Sequence, residues 1–211
     1  MPAADVLAPY VDHLGRPADA VAADLDRFAA LIEKWNRTHN LVSRETAGEL
    51  WTRHIADSLQ LLPLLRQSDK TIIDLGSRGG FPAIPLAIAS GAERRFILIE
   101  PVARKSSFLR AASRELGLKL QVEGRRSDEI AAGELPAADV VTSRALAALP
   151  KLLGFAAPFF GPGTRGLFHK GREHVDEVAE SRAVWHFDVL VHPSVTDPAG
   201  AVLEISDLRL N

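Results

Sequence analysis

Apolar positions near the start of the chain recur at helical spacing. Leu25, Phe28, Ala29, Ile32 and Trp35 form one stripe, as in an amphipathic helix with a single buried face. Asn36 to Asn40 interrupts the stripe. Thr46-Ala47-Gly48-Glu49 then has capping-box form ahead of Leu50 and Trp51, with hydroxyl and carboxylate placed to satisfy free backbone N–H groups. A second helix is predicted from there through Arg53, His54, Ile55 and Leu59 until Pro63. After the polar turn Gln67-Ser68-Asp69-Lys70 the pattern changes to short apolar runs alternating with helical stretches. The predicted strands are Thr71–Leu75, Arg95–Glu100, Leu118–Val122, Asp139–Ser143, Gly166–His169, Phe187–Val191 and Ala201–Ile205. The clearest helices between them are Ile84–Ala89, Arg104–Leu116, Ala147–Phe155 and Val175–Arg182. Such alternation predicts an α/β fold with a mainly parallel sheet covered on both faces. The last two strands have little helix between them and are predicted to form an antiparallel pair at one edge. Residues 1–68 read as an N-terminal helical cap and residues 69–211 as a Rossmann-like sheet domain, the two making one compact unit.

Composition narrows the class. A chain of 211 residues with 46% apolar content suffices for one well-buried domain. It has no cysteine, which excludes disulfides, thiol catalysis and cysteine-bound zinc and fits a reducing compartment, so a cytoplasmic location is expected. The seven histidines are scattered without metal-ligand spacing, and no metal is expected. No apolar segment is long enough to span a bilayer, and the first ten residues do not have the form of a secretory signal. A net charge of −2 argues against a strong sequence-independent nucleic-acid binder, which needs a dominant cationic footprint.

Candidate chemistry gathers at the first strand. Thr71–Leu75 runs directly into Gly76-Ser77-Arg78-Gly79-Gly80-Phe81-Pro82 and then into a helix. This is the nucleotide-binding corner of a doubly wound sheet, but it is neither Gly-x-Gly-x-x-Gly nor a P-loop. Asp74 precedes the turn, and Glu100 ends the second strand, where an acid can accept hydrogen bonds from a ribose diol. A pyrophosphate prefers donors and positive potential. Two carboxylates instead suit a ligand carrying a sulfonium, an ammonium and ribose hydroxyls, namely S-adenosylmethionine. With a seven-stranded sheet this points to a methyltransferase-type relative rather than a dinucleotide oxidoreductase. Arg144 follows the fourth strand at the ligand-binding end, and Lys170-Gly171 follows the fifth. His54, Asp57 and Ser58 are too close on one helix to form a hydrolytic triad, and no Gly-x-Ser-x-Gly elbow exists.

Taken together, Trp35-Asn36-Arg37-Thr38-His39-Asn40-Leu41, Arg53-His54 with Asp57-Ser58-Leu59, Asp74 to Pro82, Glu100 with Arg104-Lys105 and Phe108-Leu109, Ser143-Arg144-Ala145 and Lys170-Gly171 resemble the bacterial 16S rRNA (guanine-N7) methyltransferases of the RsmG/GidB family. The resemblance runs along nearly the whole chain. It implies a class I S-adenosylmethionine-dependent methyltransferase fold and methylation of one guanine of small-subunit ribosomal RNA. It implies cofactor contacts from Gly76, Phe81, Ser127, Asp128 and Arg144, to which the turn residues Asp74, Ser77, Gly80 and the strand-tip Glu100 are added. Guanine N7 carries a free lone pair, so no general base is expected, and Arg144 is assigned a positioning role. The candidates for the RNA face are Arg37, His39, Arg53, His54, Arg144 and Lys170. The near-neutral charge implies that the rRNA is presented within a small-subunit particle, and a monomer is expected because no apolar stripe stands out as unburied.

Two positions depart from the family pattern: Arg78 stands where a glycine is usual, and Ala83 replaces another. If position 78 requires positive φ, the strain is of order 1–3 kcal/mol. Its charge either repels the sulfonium or pairs with Asp74, Glu100 or the cofactor's carboxylate. Two other readings therefore stay open: a cofactor- or ribosome-binding module with weakened catalysis, and a small-molecule methyltransferase on the same fold.

Overall fold

The computed structural model describes residues 3–42, 47–131 and 133–211. Among the described residues, seven strands form one sheet: β1 (Thr71–Leu75), β2 (Arg95–Ile99), β3 (Leu120–Glu123), β4 (Val140–Arg144), β5 (Arg165–Lys170), β6 (Trp185–Pro193) and β7 (Ala201–Leu210). Their order is β3-β2-β1-β4-β5-β7-β6. β1 to β5 are parallel, β7 is antiparallel to β5, and β6 is antiparallel to β7 at the edge. The α/β fold predicted from the pattern is therefore the one observed, including the antiparallel pair. The chain leaves β1 toward β2 on one side, and β4 lies on β1's other side. This reversal is where doubly wound sheets bind ligands, beyond the carboxyl ends of the strands.

Alternation along the strands fills a core on each face. Ile72, Phe96, Leu98, Val140 and Leu167 point to one side, and Ile73, Ile97, Ile99, Val141 and Phe168 to the other. The first core also takes in α2 (Ala18–His39), α4 (Ala83–Ser90) and α5 (Ala103–Glu115). Every residue of α4 is buried, because it lies between the sheet and α2. α1 (Ala3–Leu7) packs on α2, while α6 (Leu149–Ala156) and α7 (His174–Ser181) pack together, α6 on the second core. Trp35 meets Phe108 edge-on at 5.6 Å, which ties the end of α2 to α5.

The helical segment before β1 differs from the sequence expectation. α2 does not break at Asn36; it runs to His39 and ends where Asn40 turns left-handed at φ 48°. Asn36 Oδ1 then accepts the Val42 N–H at 3.0 Å, so the polar residues end the helix by hydrogen bonding rather than by breaking its period. Thr46, the first residue of the proposed capping box, lies outside the described residues. The expected second helix is a composite: a 3₁₀ turn (Ala47–Glu49), a π-helical segment (Leu50–Ala56), α3 (Asp57–Leu59) and a second 3₁₀ turn (Leu62–Leu64). π-helical turns are rare and concentrate at functional sites.

Candidate active site

The turn after β1 is built on three left-handed residues: Gly76 at φ 69°, Arg78 at 48° and Gly80 at 89°. Gly76 and Ser77 both donate their N–H to the Ile99 carbonyl, at 2.9 and 3.2 Å, so β2 fixes where the turn begins. A Cβ on Gly80 would lie 2.5 Å from Ile84 Cδ1, and one on Gly76 would lie 2.7 Å from Leu146 Cδ1. Gly80 is therefore required by conformation and by close approach to buried Ile84, and Gly76 by its conformation. Arg78 meets the condition anticipated for its position and carries the strain, while its side chain is exposed.

The two carboxylates sit differently. Glu100 is buried, and its oxygens accept the Arg78 N–H at 2.8 Å and the Val102 N–H at 2.9 Å. It braces the turn from below. Asp74 is 1% exposed. Its Oδ1 accepts from the Thr142 hydroxyl at 2.8 Å, and Oδ2 has no partner among the described residues. Burial pushes its pKa up to about 7, against the pull of its hydrogen bonds, with a further push from Glu100. Burial thus favours the neutral form of Asp74 over a fixed anion. Ser77 closes the turn by donating to the Asp74 carbonyl at 3.2 Å. Phe81 is buried, 5.3 Å from the Phe28 ring and 5.1 Å from His54. Ser127 and Asp128 follow β3 in a 3₁₀ turn, where Asp128 holds Arg126 through two hydrogen bonds of 2.9 and 2.8 Å.

Arg144, at the end of β4, is the hub. Its Nε pairs with Asp57 Oδ2 at 2.8 Å, one terminal nitrogen donates to His54 Nδ1 at 2.9 Å, and the other donates to the Arg53 carbonyl at 2.7 Å. The π-helical segment thereby points a backbone acceptor, a ring nitrogen and, just beyond it, a carboxylate at a single guanidinium. Asp57 Oδ1 also accepts from Thr196 Oγ1 at 2.6 Å and from Gln60 Nε2 at 2.7 Å. The carboxylate therefore latches the β6–β7 connection to the helical segment. His169, whose side chain is 8% exposed, reaches the Asp57 carbonyl through Nε2 at 2.8 Å, and its Nδ1 has no partner among the described residues.

Two clefts meet at Arg144 and Ala145. One, of about 200 Å³, lies between the glycine turn and the helical segment, lined by Leu41, Val42, His54, Ser77, Arg78, Gly79 and Phe81. The other, of about 300 Å³, is lined by Arg53, Asp57, His169, Lys170, Ser194, Thr196 and Asp197. A donor and an acceptor placed in them would approach each other at their junction.

The structure places the RNA-face candidates in different settings. His54 is 7% exposed, a ring packed between Phe81 and Arg144 rather than a surface contact. The Lys170 side chain is 7% exposed and pairs with Glu177; it also donates to the Ala147 carbonyl at 3.0 Å. Glu177 in turn accepts the Leu149 N–H at the start of α6. Lys170 thus holds the 144–148 loop from behind, because a buried ammonium takes the nearest carboxylate. Arg53 keeps an exposed side chain, paired with Glu49 at 2.7 Å, and Arg37 is exposed near the end of α2. The His39 side chain lies outside the described residues. Arg144 faces inward, satisfied by its three partners.

Sequence reasoning missed Asp57 and His169 as site residues. Asp57 carries a signal, three residues after His54 on one helical face and within the family motif Asp57-Ser58-Leu59, but no role was attached to it. Ser58 is fully buried and spends its hydroxyl on the His54 carbonyl at 2.6 Å.

Burial, with the nearby Arg144 charge, pushes His54 down to about 4. A neutral ring is what lets Nδ1 accept from a guanidinium. The folded pKa lies below the unfolded 6.5, so the unfolded state binds the extra proton first. Stability from this group is present above about pH 6.5 and is lost as pH falls toward 4. An NMR pH titration should show His54 neutral at pH 5.5; a midpoint near 6.5 would contradict the arrangement.

The family model described as "GidB: rRNA small subunit methyltransferase G" matches residues 21–202. The chain belongs to the GidB family. It is 43% identical to the ribosomal RNA small subunit methyltransferase G of Cereibacter sphaeroides over 187 residues, 87% of this chain and 89% of that one. It is 45% identical to the protein of the same name from Gluconobacter oxydans over 185 residues, 88% and 93% of the two chains. Among solved structures, the S-adenosylhomocysteine-bound methyltransferase PaMTH1 of Podospora anserina superposes with a TM-score of 0.60 at 14% identity, covering 83% of this chain and 86% of that one. That likeness bears on the fold: a GidB-family chain on a class I methyltransferase sheet. No helix among the described residues is long and apolar enough to cross a membrane.

Proposed function

We propose that this protein transfers the methyl group of S-adenosylmethionine to N7 of a guanine in 16S ribosomal RNA. The family match along most of the chain carries the reading, and two clefts joined at Arg144 and Ala145 support it. The residues present fit the cofactor. Asp74 Oδ2 is an orphaned buried oxygen beneath the turn, suited to a cationic ligand, and the left-handed glycines keep positions 76 and 80 free of side chains. The proposed holding residues are Asp74, Gly76, Ser77, Gly80, Phe81 and Glu100, with Ser127 and Asp128 at the third strand end and Arg144 at the fourth. When bound, S-adenosylmethionine supplies an electrophilic methyl group, which N7 accepts with its own lone pair.

The chain's task is therefore positioning, and no side chain has to remove a proton. Arg144 fixes the wall between the clefts through Asp57, His54 and the Arg53 carbonyl, and holding reactants in line is itself a large catalytic effect. Lys170 and Glu177 keep the 144–148 loop in register. The chain acts as a monomer in the cytoplasm on rRNA presented by a small-subunit particle, in keeping with its net charge of −2. The test is methyl transfer to small subunits from cells lacking the modification, read as N7-methylguanosine by mass spectrometry. No N7-methylguanosine at saturating cofactor would refute the assignment.

Asp74 gives the cofactor site a pH signature. Its raised pKa means that stability from its neutral form is present at low pH and is lost as pH rises toward 7. A positively charged ligand favours the ionised carboxylate. S-adenosylmethionine affinity is expected to weaken about tenfold from pH 8 to pH 6, while uncharged-sulfur S-adenosylhomocysteine changes less. Calorimetry at the two pH values checks this, and Asp74→Asn should flatten the difference.

A further inference from the structure

We propose that the Arg78 guanidinium is the anchor for the α-carboxylate of the methyl donor. The inference rests on placing the cofactor at the glycine turn. Arg78 is an exposed arginine held at φ 48°, a conformation that disfavours any residue with a Cβ. Strain retained at a cleft points to a use for the side chain. It lines the cleft of about 200 Å³ together with Leu41, Val42, His54 and Phe81.

The electrostatic setting selects an anion. Arg144, the other guanidinium in that cleft, is already neutralised by Asp57 and satisfied by His54 and the Arg53 carbonyl. His54 is held neutral. Glu100 spends its two oxygens on backbone N–H groups, one of them that of Arg78 itself. Asp74 is buried under the turn against Thr142. Of the partners open to Arg78 from the sequence, neither Asp74 nor Glu100 pairs with its side chain among the described residues, which leaves the ligand. Leu41, Val42 and Phe81 give the rest of the wall an apolar character. An amino-acid tail, with methylenes ending in a carboxylate, matches an apolar wall closed by a cation. A sugar–phosphate backbone does not.

A double-mutant cycle in the ligand and the protein tests this by calorimetry, without turnover. The ligands are S-adenosylhomocysteine and its decarboxylated analogue, which keeps the amine and adenosine. Arg78→Gly relieves the strained conformation, so misfolding does not explain a loss. Wild type is expected to bind the decarboxylated analogue at least tenfold more weakly. Arg78→Gly is expected to lose about tenfold for S-adenosylhomocysteine and nothing for the analogue, with Arg78→Lys between. Equal losses for both ligands, or no loss for either, overturn the inference while leaving the cofactor site standing. Unchanged nucleoside binding with weakened binding to small ribosomal subunits would move the guanidinium to the RNA and overturn it too. Failure of wild type to bind S-adenosylhomocysteine at all would instead remove the cofactor site on which the inference rests.

Discussion

Asp57→Ala should lower stability by about 3 kcal/mol and methyl transfer by about a hundredfold. Asp57 balances a guanidinium whose side chain is only 21% exposed, and its second oxygen holds Thr196 and Gln60. Removing it leaves Arg144 charged, largely desolvated and facing a neutral ring and one carbonyl. It also frees the β6–β7 connection that walls the larger cleft. Denaturant unfolding and single-turnover assays measure the two effects. The double variant Asp57→Ala/Arg144→Met separates them. Most of the stability should return, because the orphaned cation is gone, but the rate should not. A rate within threefold of wild type in either variant would show that this hub does not position the reactants.

Gly80→Val is expected to abolish measurable cofactor binding, at a cost of about 3 kcal/mol in stability. The position needs φ 89°, which a β-branched residue adopts only as an outlier. A Cβ there would also press on fully buried Ile84. The contrast with Arg78 is instructive. Arg78 is left-handed as well, but its side chain leaves toward solvent and the cleft, so backbone strain is its only penalty. Gly80 would add a core clash to the strain. Thermal unfolding and equilibrium dialysis with labelled S-adenosylmethionine check the outcome; full binding by the valine variant would mean that the turn is not the cofactor's seat.

How far the chain could be read depended on the range of the interactions involved. Thr71–Leu75, the glycine turn and Glu100 were legible because continuous apolar runs, clustered glycines and a strand-tip acid are local signals. The antiparallel last pair was legible for the same reason: too few residues separate β6 and β7 for a crossover. The partners of Lys170 and His54 were not legible. Nothing in Lys170-Gly171 announces that Glu177 will return on α7 to take the ammonium. Nothing near His54 announces an arginine ninety positions later. The π-helical turn was likewise invisible, since its apolar residues fit an α-helical period equally well.

The sequence by itself determined the architecture: an alternating α/β chain, a glycine turn between the first strand and a helix, acids at two neighbouring strand tips, and membership of a family legible in dispersed motifs. Only the tertiary structure decided what those charges do. Asp74 became a buried carboxyl under the turn whose neutral form is favoured, Glu100 a brace for backbone N–H groups, Arg144 a guanidinium held by three partners and Arg78 an exposed guanidinium at the cleft. The physical reason is that period and turn chemistry act between neighbours in sequence. Desolvation and ion pairing depend on which distant segments the fold brings within a few ångströms.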